Sequence, residues 1–140
     1  MSSNKINALV GEEHIKTLFS IFKNHDAELR LVGGSIRDVM MSRDASDIDS
    51  ATTLEPNDVL KLLKKNNIEY DDFAIRYGSI IAYPNNKKIQ ITSLREDINQ
   101  LGRHTSVLYT KDWKKDAARR DFTFNALYLG EDCKMYDYYK

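Results

Sequence analysis

The stretch ELRLVGGSIRDVMMSRDASDIDSATT, residues 28–53, decides the fold. It opens on a short alternating run, Glu28 to Val32, that reads as a β-strand and breaks at the pair Gly33-Gly34. Ser35 to Met41 then reads as a helix and Asp47 to Thr52 as a second strand. Strand, glycine turn, helix and strand in that order point to an α/β (α+β) fold with a small mixed β-sheet flanked by helices.

Working outward, Ile15, Leu18, Phe19 and Phe22 recur at helical spacing and predict an amphipathic helix over Glu12 to Lys23 that rests on the core. It belongs to an N-terminal helical extension of about residues 1–27. On the other side, Pro56 is a good first helical residue, and Val59, Leu60, Leu62 and Leu63 carry that helix to Asn66. Ser79 to Tyr83 and Lys88 to Leu94 read as strands joined by a turn at Pro84-Asn85-Asn86. Arg95 to Thr110 is polar and reads as a mobile loop. Asp112 is placed to cap a helix running through Arg119, Phe122 to Leu127 packs back on the core, and Tyr128 to Tyr139 follows as an unassigned segment. Trp113, beside a helix start, reads as a packing anchor.

At 140 residues the chain suits a single domain with its own core. Hydrophobic residues at 41% and charged residues at 30% exclude a collagen-like, membrane-spanning or wholly disordered chain. The 21 Lys and Arg residues balance 21 Asp and Glu residues, so there is no global attraction to nucleic acid or an acidic membrane, and any RNA contact must be local. Cys133 is the single cysteine and cannot form an internal disulfide. With no basic segment leading into an apolar run at the N-terminus, a reducing, cytoplasmic setting is the expectation.

Residues two apart on a strand share a face, so Asp47 and Asp49 project together, about 7 Å apart along the chain. Two adjacent carboxylates repel unless a hard cation lies between them, and Mg²⁺ takes carboxylate oxygens together with phosphate oxygens. Asp-x-Asp taken alone suits a solvated loop equally well. An EF-hand fits poorly: a loop starting at Asp47 puts Thr52 where Gly is needed and Asp58 where Glu is needed. The preceding Gly33-Gly34-Ser35 turn adds context, because minimal side chains and the N–H groups of a helix start favour a triphosphate. Arg37, one turn into that helix, can reach a phosphate oxygen.

Three segments together carry a family likeness: LVGGSIRD at 31–38, DIDSATT at 47–53 and RRDFTFNAL at 119–127. In this order they resemble the class II tRNA nucleotidyltransferases (CCA-adding enzymes) and the bacterial poly(A) polymerases. The likeness runs from about Leu29 to the end of the sequence and includes Gly102-Arg103-His104 and Thr110 to Trp113. It implies a single catalytic head domain with the nucleotidyltransferase fold of the DNA polymerase beta superfamily. That head would transfer NMP from ATP or CTP to the 3′ end of a tRNA or other RNA. By the same likeness Asp47 and Asp49 match the catalytic, metal-binding pair, with Mg²⁺ in a two-metal arrangement. Gly33, Gly34 and Arg37 match the triphosphate turn, with Ser35 beside them, and Arg120 matches a nucleotide-binding arginine. Arg103 and His104 fall in a stretch that family members use when switching nucleotides.

The residues themselves are less decisive in the last segment. Asp116 stands four residues before Arg120 and can pair with it as solvated helix decoration. Arg119 and Arg120 are about 100° apart on a helix and cannot both enter one pocket, and Arg120 is preferred. Phe122, Phe124 and Leu127 suit the core, while Asn125 suits a turn or a nucleotide contact equally.

Two departures from the family pattern qualify the reading. Family members place a third carboxylate, a Glu, where this chain has Gln90, an isosteric swap that removes a negative charge. With Ile89 and Ile91 facing the core, Gln90 is expected on the same side as the aspartates. The family also continues into helical neck, body and tail regions that hold RNA and choose the base, and no counterpart of these is expected within these 140 residues. The sequence therefore predicts a head that needs a missing or separate helical part, such as a partner subunit completing a split enzyme. The alternative is a degenerate, non-catalytic nucleotide- or partner-binding remnant. A domain that binds RNA without chemistry is disfavoured by the neutral charge and the lack of an aromatic-basic platform.

Overall fold

The computed structural model describes residues 7–33, 36, 48–97, 107–119 and 127–138. Helix α1 (Glu13–Asn24) buries Ile15, Leu18, Phe19 and Phe22, as their spacing requires. Helix α2 (Pro56–Lys65) starts on its proline and buries Val59, Leu62 and Leu63, with Asp58 in its first turn and Lys64 and Lys65 in its last, the arrangement the helix dipole favours.

Among the described residues seven strands form one sheet: β1 (Leu29–Val32), β2 (Ile48–Thr52), β3 (Tyr70–Asp71), β4 (Ser79–Ala82), β5 (Ile89–Ser93), β8 (Leu127–Leu129) and β9 (Met135–Asp137). Their spatial order is β3-β4-β5-β2-β1-β8-β9. Strands β2 and β5 run parallel, and the other neighbours pair antiparallel. The turn between β4 and β5 uses Asn85 at φ 53° and Asn86 at φ 64°, left-handed positions that asparagine tolerates.

The register fixes two sheet faces. Leu29, Leu31, Ile48, Ile80, Ala82, Ile89, Ile91 and Leu129 lie on one face and form the main core with α1 and α2. Val32, Ala51 and Tyr128 lie on the other face and form a smaller core with Leu94, Trp113 and Ala117. The last two residues come from helix α3 (Trp113–Ala118), whose N-cap Asp112 accepts bonds from the N–H groups of Lys114 at 2.9 Å and Lys115 at 3.3 Å. That short helix covers one part of the second face.

The expectation of a loop over Arg95 to Thr110 is corrected at both ends. Strand β6 (Arg95–Asp97) pairs antiparallel with β7 (Val107–Tyr109) in a separate two-stranded sheet. Three-residue strands are too short to show an alternation, and what holds them is tertiary: Arg95 N–H donates to the Asp116 carboxylate at 3.0 Å, and Thr110 N–H donates to the Leu94 carbonyl at 3.0 Å. The segment after Tyr128, unassigned from sequence, forms the β8–β9 hairpin. The helix expected over Ser35 to Met41 lies outside the described residues except for Ile36, which is helical and fully buried.

Candidate active site

Strand β1 ends at Gly33, whose φ of 74° is left-handed and suits glycine. Its N–H donates to the Leu127 carbonyl at 3.2 Å, and its carbonyl accepts from Ile36 N–H at 3.2 Å. Because Leu31 lies opposite Ser50, this turn sits at the end of the sheet where β2 begins.

At that same end Asp49 is solvent-exposed between buried Ile48 and Ser50. It points to the second face, away from the main core. Its partner across the parallel pair is Gln90, which in turn faces Ile81 of β4. Partners in register share a face and lie one strand spacing apart, about 4.8 Å. Asp49 and Gln90 are therefore side by side, as the spacing of Ile89 and Ile91 implied. Gln90 is half-buried, and its Nε2 donates to Ser79 Oγ at 3.4 Å. Ser79 Oγ and Thr92 Oγ1 share a hydrogen bond of 2.9 Å.

Asp116 is corrected outright. It is not solvated decoration but fully buried, 0% exposed. Its carboxylate accepts from Tyr128 OH at 2.6 Å, from Arg119 Nε at 3.1 Å and from Arg95 N–H at 3.0 Å, tying α3, β6 and β8 together. Arg119, just past the end of α3, is held in a salt bridge to the same carboxylate at 3.1 Å. A spacing rule finds helical neighbours of Asp116, but its strand partners become visible only once the sheet is assembled.

Arg30 is a residue the sequence did not single out. Its guanidinium stacks 4.0 Å from the Trp113 ring centre and 3.6 Å from that of Tyr136. It also donates to Glu28 at 3.2 Å and to Tyr138 OH at 2.9 Å, while Trp113 Nε1 donates to Glu28 at 3.1 Å. Trp113 is thus a packing anchor, 7% exposed, as expected. The only sequence signal for Arg30 was its place between Leu29 and Leu31, which puts a cation on the face opposite the main core.

Of the site residues read from sequence, Gly33, Asp49 and Gln90 are brought to one end of the sheet, and Asp116 and Arg119 lie on the same face beside β8. Gly34, Ser35, Arg37, Asp47, Arg103, Arg120 and Asn125 lie outside the described residues, as do His104, Phe122 and Phe124. Among the described residues no group of three His, Cys, Asp or Glu side chains could hold a metal ion. The donors that Asp49 and Gln90 offer are nonetheless hard oxygens, which suit Mg²⁺ and not a thiophilic ion. Near the start of β2, Glu12, His14, Ile48, Lys87 and Lys88 line a cavity of about 490 Å³. No helix among the described residues is long and apolar enough to cross a membrane.

Residues 29–140 match the family model of the poly A polymerase head domain. The chain is 37% identical over 128 residues to the mitochondrial CCA tRNA nucleotidyltransferase 1 of Homo sapiens, an alignment covering 91% of this chain and 30% of that protein. It is 32% identical over 122 residues to the CCA-adding enzyme of Bacillus cytotoxicus, covering 86% and 30% respectively. The crystal structure of the Bacillus stearothermophilus CCA-adding enzyme in complex with CTP matches with a TM-score of 0.77 at 25% identity, over 90% of this chain and 29% of that one. The chain spans about 30% of the length of the curated relatives it matches. The family match, these identities and the shared nucleotidyltransferase fold lead to one assignment: the chain belongs to the poly A polymerase head domain family.

Proposed function

We propose that this chain is the catalytic head of a template-independent RNA nucleotidyltransferase, which transfers NMP from ATP or CTP to the 3′ end of a tRNA or other RNA. The observation that carries the reading is Asp49: an exposed carboxylate on a strand whose other side chains are buried, placed beside Gln90 and at the same end of the sheet as the Gly33 turn. The curated relatives are named for CCA addition to tRNA, and one solved relative holds CTP.

In this reading Asp49, with Asp47 two residues before it, holds Mg²⁺, which supplies charge neutralisation for the attacking hydroxyl and the leaving pyrophosphate. The turn at Gly33-Gly34, with Ser35, lets the triphosphate approach the backbone closely. Arg37 and Arg120 neutralise phosphate oxygens. Arg119 is the poorer candidate for that task because Asp116 already engages its guanidinium. RNA is held by a helical part, in cis or on a partner subunit.

The test is titration of the chain with ATP or CTP and Mg²⁺. Binding is expected at about millimolar concentration or below, within the usual range for enzyme substrates. No binding at that level, or binding that survives Asp47→Ala combined with Asp49→Ala, would sink the proposal.

One observation favours a second reading, a nucleotide-binding remnant without turnover: the partner of Asp49 is a neutral amide. Nucleotide addition to a tRNA lacking its 3′ end, assayed for the unaltered chain and Gln90→Glu with and without a helical partner, separates the two. Robust turnover by the unaltered chain removes the remnant reading.

A further inference from the structure

Among the described residues the exposed large apolar side chains are Phe73, Tyr77 and Leu108, and the first two flank one short turn. Phe73 is 68% exposed and Tyr77 59%, around the 3₁₀ turn Ile75–Tyr77. The turn itself is firmly held. Phe73 N–H donates to the Asp71 carboxylate at 3.2 Å, Tyr77 N–H to the Ala74 carbonyl at 2.9 Å and Gly78 N–H to the Ile75 carbonyl at 2.9 Å. Ile75 packs against the main core, and Arg95 Nη1 donates to the Tyr77 carbonyl at 2.8 Å. Gly78 has a left-handed φ of 86°, and a Cβ added there would come within 3.3 Å of the Tyr109 ring. Rings held out by a braced turn are a fixed feature of the surface and suit a partner. Arg76 adds a cation, its guanidinium 5.4 Å from the Tyr77 ring centre.

The place of the turn says which partner. It leads into Ser79 at the start of β4, opposite Thr92 near the end of β5. Arg95, which braces it, is bonded through its N–H to Asp116, so the turn borders the second face of the sheet. The Gly33 turn stands at the far corner of that face, at the end of β1 beside the start of β2. Asp49 and Gln90 lie between the two turns, and strand spacings put Gln90 on the order of 15 Å from Tyr77. In phosphoryl transfer the attacking and leaving oxygens lie roughly in line. A pyrophosphate leaving toward Gly33 therefore requires the attacking 3′ hydroxyl to arrive from the β5–β4 side. Resting on the function proposed above, we propose that Phe73, Arg76 and Tyr77 form a stacking surface for unpaired bases of the RNA, a few nucleotides before its 3′ end. Every base has a π-face, so such a surface holds a strand without selecting its sequence, and Arg76 supplies a contact to the backbone. Asp71 and Asp72 precede the turn, so ring contact rather than net positive charge carries the affinity.

The experiment measures binding of a fluorescent single-stranded RNA of about eight nucleotides, within the usual site size, to the full chain by anisotropy. A duplex of the same sequence is the comparison, and thermal melts show that each variant folds. Phe73→Leu and Tyr77→Leu keep an apolar side chain but remove the ring, and each should weaken binding of the single strand about tenfold. Phe73→Tyr and Tyr77→Phe should bind as the unaltered chain does, Arg76→Ala a few-fold more weakly, and Leu108→Ala without change. The duplex should bind at least about tenfold more weakly than the single strand, because its bases are already stacked. Equal affinity of the unaltered chain and the Phe73→Leu, Tyr77→Leu double variant overturns the inference, also where that variant instead loses association with a helical partner. Equal affinity for duplex and single strand overturns it too, as does an unaltered chain that binds no single strand up to about a millimolar. Calorimetry of CTP with Mg²⁺ tells the two readings apart. If Asp49→Asn binds CTP as the unaltered chain does, the proposed function itself fails. If Asp49→Asn abolishes CTP binding while the ring variants hold RNA undiminished, only the stacking surface fails.

Discussion

Asp116 concentrates more of this domain's polar chemistry than any residue its sequence neighbours would suggest. A buried carboxylate needs its lone pairs satisfied, and here a phenol, a guanidinium and a backbone N–H from three different elements do so. Removing one partner of such a group leaves the others buried without a charge to bond. Asp116→Ala should therefore destabilise the fold by about 3–5 kcal/mol. Tyr128→Phe, which deletes one charge-assisted bond, should cost about 1.5–3 kcal/mol. Chemical denaturation of both variants and their combination should show a loss in the double variant smaller than the sum, because the two side chains share one bond. His14 makes a pH prediction. Burial, with Lys87 acting in the same direction, lowers its pKa from the ordinary 6.5, and Glu12 only partly offsets this. The folded chain then takes up that proton at lower pH than the unfolded chain does. The His14 contribution is intact above pH 6.5 and is lost as pH falls from there through the lowered value. The melting temperature of the unaltered chain should drop more steeply across that window than that of His14→Gln; parallel curves would contradict the assignment.

Helix α3 shows how a six-residue element can be both legible and under-read. Its start was visible because an aspartate ahead of an amphipathic run is a capping signal, and Asp112 does cap it through two N–H groups. Asp112→Ala should cost about 1 kcal/mol in stability, within a range of about 0.5–2 kcal/mol. Since α3 leads directly to Arg119 and Arg120, the same variant should also weaken nucleotide affinity, measurable by calorimetry. The strands that sequence periodicity identified, β1, β2, β4 and β5, are the buried ones with alternating or continuous apolar residues. Those it missed, β3, β6, β7, β8 and β9, have two or three residues each and owe their form to neighbouring strands. Periodicity cannot register in so few positions. In the candidate site, the alignment of Gln90 with Asp49 was legible from the burial of Ile89 and Ile91. The Ser79–Thr92 pair was not, because it depends on the β4–β5 register.

The whole domain is a sheet with unequal sides. One face is sealed by α1 and α2; on the other, among the described residues, α3 covers the part near β1 and β8, while Asp49 is exposed and Gln90 and Thr92 are half-buried. The open end is where the Gly33 turn meets the start of β2, and the proposed chemistry needs that meeting of a close-approach turn and a carboxylate. Calorimetric titration of CTP in the presence and absence of Mg²⁺, for the unaltered chain and Asp49→Asn, measures that need directly. CTP should bind the unaltered chain with Mg²⁺ and bind Asp49→Asn at least about tenfold more weakly, a difference of about 1.4 kcal/mol, with both proteins melting at the same temperature. Equal affinity in the two proteins, or CTP binding indifferent to Mg²⁺, would contradict the assignment of this face as a metal-dependent nucleotide site.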